Sequence, residues 1–206
     1  MLLRLVLTAT LSLSLVLISI AADAQPTIYG KKVTTSRTDD IPTDRKWQHA
    51  YSEFKAERQY NSALYVSDTS YDWYYHPGNH SMKTALAAGK IACETATQGT
   101  CSLYAISYPA GVDPSTLPEG LSNHAALTFN GKYKRRQKDQ KWGAFAISGL
   151  NSYGYSHGFA TEDKAKKAAL RFCKNNVERQ GRESGILLLL KFSAECKIVD
   201  VHTPTK

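Results

Sequence analysis

Apolar positions in this chain change their period along its length. Ala63-Leu64-Tyr65-Val66-Ser67 is a short apolar run bounded by polar residues, and Ala144-Phe145-Ala146-Ile147-Ser148 is a second. Runs of this length and composition predict strands. Each is followed by an aromatic segment: Trp73-Tyr74-Tyr75-His76-Pro77-Gly78 after the first, Tyr153-Gly154-Tyr155-Ser156-His157-Gly158 after the second. The period then lengthens. Ala165, Ala168, Ala169 and Phe172 fall at spacings of three and four, with Lys164, Lys166, Lys167 and Arg171 outside the stripe, which predicts a helix ending on Cys173. Thr161 is its expected cap, and Glu162 and Asp163 place negative charge at the positive end of its dipole. A first helix, Ser81 to Cys93, follows the same plan, with Ser81 as cap and Ala85, Ala88, Ile91 and Ala92 facing inward. After each helix comes an apolar strand, Ser102 to Tyr108 in the first half and Ile186 to Phe192 in the second, with Lys197 to Val201 as a last short one.

Each half therefore reads strand, strand, helix, strand. The expected fold class is α+β: two similar small β-β-α-β units, each a short antiparallel sheet with one packed helix. Laid at a constant offset of 80, Tyr75, Gly78, Ala85, Ala88 and Cys93 match Tyr155, Gly158, Ala165, Ala168 and Cys173. The first unit spans residues 46–110 and the second 123–206. Pro109, Gly111, Pro114, Pro118 and Gly120 make 111–122 a linker between them. Ala125 to Tyr133 predicts a basic hairpin turning on Asn130-Gly131. Residues 25–45 carry little periodic signal and read as a flexible N-terminal segment, ahead of a short helix from Trp47 to Arg58.

The start of the chain changes the compartment. Arg4, the apolar run Leu5 to Ile20 and Ala22-Asp23-Ala24 make residues 1–24 a signal peptide, too short in its apolar part for a membrane span. Cleavage leaves 182 of the 206 residues and all four cysteines, Cys93, Cys101, Cys173 and Cys196. The expected location is periplasmic or extracellular, where an even cysteine count reads as two disulfides. No C-x-x-C pair supports a zinc site. Four cysteines allow three pairings and the sequence does not choose among them. If each unit closes its own, the pairs are Cys93–Cys101 and Cys173–Cys196.

The formal charge of +8 is concentrated in one run, with Lys132, Lys134, Arg135, Arg136, Lys138 and Lys141 inside ten residues. That run is the candidate binding surface, for an anionic envelope component or a protein partner. Export makes nucleic acid the least favoured polyanion. Candidate chemistry lies in Gly154-Tyr155-Ser156-His157-Gly158, which spells the G-x-S-x-G of a serine-hydrolase elbow. A true elbow passes from strand directly into helix, whereas the cap here, Thr161, comes five residues after Ser156. Asp200 and His202 follow in the right order for a triad, but close to the C-terminus. The offset also places His76 opposite Ser156, so the turn reads as structural. A small secreted serine esterase using Ser156, Asp200 and His202 is the alternative reading. His76, His80 and His157 are metal-ligand types, but Pro77 and Gly78 put the first two on a turn; no metal or other cofactor is expected. Trp73, Tyr74, Tyr75, Tyr153 and Tyr155 read as cross-strand packing ahead of a sugar-stacking surface.

Trp142-Gly143-Ala144-Phe145-Ala146, then Tyr153-Gly154-Tyr155-Ser156-His157-Gly158-Phe159, then Lys164-Ala165 through Ala169-Leu170 to Cys173, resembles the bacterial exported domain-of-unknown-function family 4189. Ala85, Ala88, Cys93, Cys101 and Ser102-Leu103-Tyr104-Ala105 look like a related repeat in the first half. The resemblance implies a small exported αβ module and brings no catalytic residue with it. The expectation is an exported, disulfide-containing, non-catalytic protein that binds its partner at the cell envelope or outside the cell.

Overall fold

A computed structural model of the chain describes residues 25–38, 45–117, 119–183 and 195–205. The signal peptide read at residues 1–24 and the strand expected from Ile186 to Phe192 lie outside the described residues.

The first set of elements is β1 (Val33–Arg37), α1 (Arg45–Ala56), β2 (Ser62–Ser67), β3 (Trp73–His76), α2 (Met82–Thr97) and β4 (Cys101–Pro109). Its strands form one antiparallel sheet in the order β1-β4-β2-β3. β2 is buried along its whole length because it is covered on both faces. Its side chains alternate accordingly. Ala63 and Tyr65 pack with Met82, Ala85 and Cys93 of α2, while Leu64 and Val66 pack with Ala50 and Phe54 of α1. The cap expected at Ser81 is present, its hydroxyl accepting the Thr84 N–H at 3.1 Å.

The second set runs helix, strand, strand, helix, strand, with no counterpart to β1 among the described residues. α3 (Asn123–Thr128), a π-helical turn (Phe129–Tyr133) and α4 (Lys134–Arg136) run on as one helical segment. β5 (Trp142–Ile147), β6 (Tyr153–Phe159), α5 (Glu162–Glu183) and β7 (Lys197–His202) follow, with the antiparallel strand order β6-β5-β7. Here Ala144 and Ala146 of β5 meet Ala165, Ala169 and Cys173 of α5. Phe145 and Ile147 point the other way, onto Ala125, Phe129 and Tyr133. In both sheets the first strand of the β-β-α-β run lies between the other two. Mixed helices and antiparallel sheets make the protein α+β.

Cys93–Cys101 ties α2 to the start of β4, and Cys173–Cys196 ties α5 to the residue before β7. Each bridge closes within its own set. Two closed disulfides are the chemistry of an oxidising compartment rather than the cytoplasm. No helix among the described residues is long and apolar enough to cross a membrane.

Five expectations need correction. Each sheet carries two helices, not one, because β2 and β5 are apolar on both faces. The hairpin on Asn130-Gly131 is helical instead. Leu121, Ala125, Phe129 and Tyr133 recur every four residues, and burying them on Phe145 outweighs the local turn preference of Asn-Gly. In a regular α-helix three four-residue steps would carry such a stripe about 120° around the axis. The π-helical turn absorbs an extra residue and brings Phe129 and Tyr133 back to one side.

The N-terminal segment is not a loose lead. Val33–Arg37 completes the first sheet by pairing with β4, and Thr27 bridges to Gly120. The linker does not extend to residue 122, since Leu121 is fully buried and its carbonyl accepts the Tyr60 hydroxyl at 3.0 Å. Finally, Phe172 does not face inward: it is 46% exposed, while Cys173 is buried and α5 continues beyond it to Glu183.

Candidate functional site

Ser156 sits on β6 at an irregularity, where the β5 register shifts between Trp142 and Ala144. Its side chain is buried on the α5 side of the sheet. The hydroxyl accepts the Ala144 N–H at 3.1 Å and donates to the Ala165 carbonyl in the first turn of α5 at 2.8 Å. It thus stands in for a ladder bond and joins β5, β6 and α5. The two glycines of the motif have separate geometric reasons. A Cβ on Gly154 would fall inside the α5 backbone at Ala169 and Cys173, and Gly158 has a left-handed φ of 79°. Gly78, its counterpart at the offset of 80, has a φ of 66°.

The triad partners are elsewhere. Asp200 and His202 lie on β7, separated from β6 by the whole of β5. The register pairs Ser156 with Ala144 and Ala144 with Val201, so Asp200 projects to the opposite face of the sheet from Ser156. There Asp200 accepts the Tyr133 hydroxyl at 2.6 Å, and the His202 ring approaches the Lys138 carbonyl at 3.4 Å. Ser156, Asp200 and His202 are not brought together.

The basic run has a different setting. Tyr133 anchors it, fully buried against Phe129 and Phe145, with its hydroxyl pushed well above the usual phenol range by burial and by the bond to Asp200. With that side inward, Lys132, Lys134, Arg135 and Arg136 are turned to solvent, and the chain leaves α4 extended so that Lys138 and Lys141 are exposed as well. Lys134 lies 4.8 Å from the Phe129 ring centroid, and Arg135 Nε donates to the Gly131 carbonyl at 3.1 Å. Among the described residues none of the six cations pairs with a carboxylate.

Arg136 reaches a groove of about 480 Å³ along β6, the edge strand of its sheet, together with Tyr155, His157, Phe172 and Asn176. A side chain blunts the strand edge, Asn176 Nδ2 donating to the Tyr153 carbonyl at 2.7 Å, while Gln137 Nε2 approaches the Ser156 carbonyl at 3.4 Å beside the β5 register shift. Phe172 and Asn176 escape sequence reading because the apolar stripe assigns Phe172 inward. The signal that places them is Gly154: a strand glycine lets α5 press its backbone on β6 near Cys173, which turns Phe172 outward.

The histidines have separate settings. His80 is fully buried where the two sets of elements meet. Its Nδ1 accepts the Ser122 N–H at 3.0 Å, so the proton is on Nε2, which donates to the Ser152 carbonyl at 3.1 Å. Its backbone N–H donates to Leu150 at 3.0 Å and its carbonyl accepts from Gly120 at 2.9 Å. Among the described residues no three His, Cys, Asp or Glu side chains gather as a metal would require. The aromatic strand residues are engaged in packing: Trp73 stacks on Tyr75 at 5.7 Å, and Phe145 stacks on Tyr153 at 5.6 Å. No family model, no curated protein and no solved structure matches this chain.

Proposed function

We propose that the protein is an exported, non-catalytic binding protein that receives an anionic partner on α4 and the Lys138–Lys141 stretch, at the cell envelope or outside the cell. The observation that carries this reading is the arrangement of the six cations. A helical segment anchored by buried Phe129 and Tyr133 directs Lys132, Lys134, Arg135 and Arg136 to solvent, the extended stretch after it exposes Lys138 and Lys141, and none of the six is neutralised by a carboxylate among the described residues. Arg136 extends the surface toward the β6 groove, where exposed Phe172 offers apolar contact beside the charge. A protein with an acidic face and an acidic envelope polymer satisfy the same surface; an inhibitor or toxin aimed at another organism's enzyme fits within the first. The second half of the chain belongs, in this proposal, with exported family 4189, on its Trp142-Gly143-Ala144, Gly154-Tyr155-Ser156-His157-Gly158 and Cys173 segments.

The test is retention on heparin and on vesicles containing anionic lipid. Wild type is retained and elutes as salt screens the contact. The triple variant Lys134→Glu, Arg135→Glu, Arg136→Glu elutes at distinctly lower salt with an unchanged thermal unfolding curve. Equal elution of the two proteins would remove this surface from consideration.

A further inference from the structure

A second concave site lies where the two sets of elements meet. It is a cleft of about 290 Å³, near the small end of the range of roughly 300–1,000 Å³ typical of ligand pockets. Such seams are where small-molecule sites most often form. One wall is the turn after β3, at Pro77 and Gly78, with Glu57 and Gln59 beyond the end of α1. The other is the β5–β6 turn at Asn151 and Ser152, overhung by Asn176, Arg179 and Gln180 of α5. Those last three come from the part of α5 beyond Cys173. α2 ends only four residues past Cys93, so α5 supplies a wall to which α2 has no equivalent.

The lining is polar and partly committed. Ser152 Oγ donates to Gln180 Oε1, Arg179 donates to Asn176 Oδ1 at 3.1 Å, and Glu57 accepts the Tyr75 hydroxyl at 2.9 Å. Asn151 donates from Nδ2 to the Pro77 carbonyl across the seam at 3.4 Å. Its Oδ1, however, is buried and accepts no hydrogen bond among the described residues. A buried acceptor left unmet is costly, so a small shift of the Asn151 side chain that let a ligand donor reach Oδ1 would be rewarded. One carboxylate and one guanidinium, Glu57 and Arg179, leave the lining formally neutral. Side-chain amides that both give and take hydrogen bonds, Gln59, Asn151, Asn176 and Gln180, stand among the remainder with the hydroxyls of Ser122, Ser152 and Tyr153.

We infer that this cleft binds an uncharged polyhydroxylated ligand the size of one hexose ring. Each hydroxyl of such a ligand donates once and accepts twice, which matches a wall of amides, a carboxylate and a guanidinium better than a ligand of single charge does. The inference is independent of the anionic partner, since none of the six cations of the basic run lines the cleft.

The experiment is an NMR titration of the disulfide-intact protein with glucose, galactose and N-acetylglucosamine, following the side-chain amide signals of Asn151, Asn176 and Gln180. Glycine serves as a zwitterionic comparison. At least one sugar shifts these signals saturably in the millimolar range. Asn151→Ala weakens that binding about tenfold, the loss of roughly one hydrogen bond. Arg179→Gln, on the exposed side of α5, weakens it too without threatening the fold, and the triple charge reversal on α4 leaves it unchanged. No shift with any sugar into the tens of millimolar overturns the inference. So does binding that survives both cleft variants, or saturation by glycine alone.

Discussion

Ser156 shows how a motif spelling is separated from its chemistry. Its hydroxyl is committed at both ends, to Ala144 N–H and to the Ala165 carbonyl. Ser156→Ala leaves that N–H without its acceptor, and the expected loss of stability in urea unfolding is about 1–3 kcal/mol. The same variant and wild type show equal, background turnover of a chromogenic ester. Gly154→Ala is the more damaging change, because its Cβ meets helix backbone that cannot give way, whereas a Cβ on Gly158 meets open space and carries only the left-handed penalty, about 1–2 kcal/mol. The expected order of midpoints is wild type, then Gly158→Ala, then Gly154→Ala.

The two sulfur bridges belong to the elements. Cys93–Cys101 spans eight positions of sequence and Cys173–Cys196 spans twenty-three. Chain-entropy arguments then give about 2.6 and 3.4 kcal/mol respectively. Replacing Cys173 and Cys196 together by alanine is expected to lower the unfolding free energy more than replacing Cys93 and Cys101, and to free the start of β7, as hydrogen exchange at Lys197–Val201 would report. The elements themselves were legible to different degrees. β2, β5, α2 and the first turns of α5 stood out because apolar runs and Ser81 or Thr161 caps are local signals. β1 was invisible, since Val33–Arg37 is held by the edge of β4 rather than by any periodicity of its own. The helix through Asn130-Gly131 was misread because a strong two-residue turn signal masked the four-residue spacing from Leu121 to Tyr133. At the candidate site, the basic run was plain from composition. The groove beside it was not, because it depends on how far α5 rotates over Gly154.

At the scale of the molecule, His80 is a buried polar pin between the halves, beside the Tyr60–Leu121 and Asn151–Pro77 hydrogen bonds and the apolar Ala88–Leu150 contact. Burial pushes the His80 imidazole down to about 4 from its ordinary 6.5; the charge of Lys197 adds to this, and hydrogen bonds with Ser152 and Gly120 oppose it. The folded state therefore keeps His80 neutral while the unfolded chain protonates at its ordinary value. His80's contribution is fully present above pH 6.5, declines as pH falls below it, and has lost about 3 kcal/mol near pH 4. Urea midpoints measured from pH 7 to 4 are expected to show this slope in wild type. In His80→Gln, which is less stable at pH 7, that share of the slope is missing; an identical slope in both proteins would contradict the assignment.

Both bridges close inside their own halves, so nothing covalent crosses this junction except the chain itself. Under tension from the two ends, the halves are coupled in series through non-covalent contacts alone: the hydrogen bonds around one imidazole, those of Tyr60 with Leu121 and Asn151 with Pro77, and the Ala88–Leu150 contact. Each half can then swing away with its sulfur-linked frame still closed, so the molecule lengthens without being unravelled.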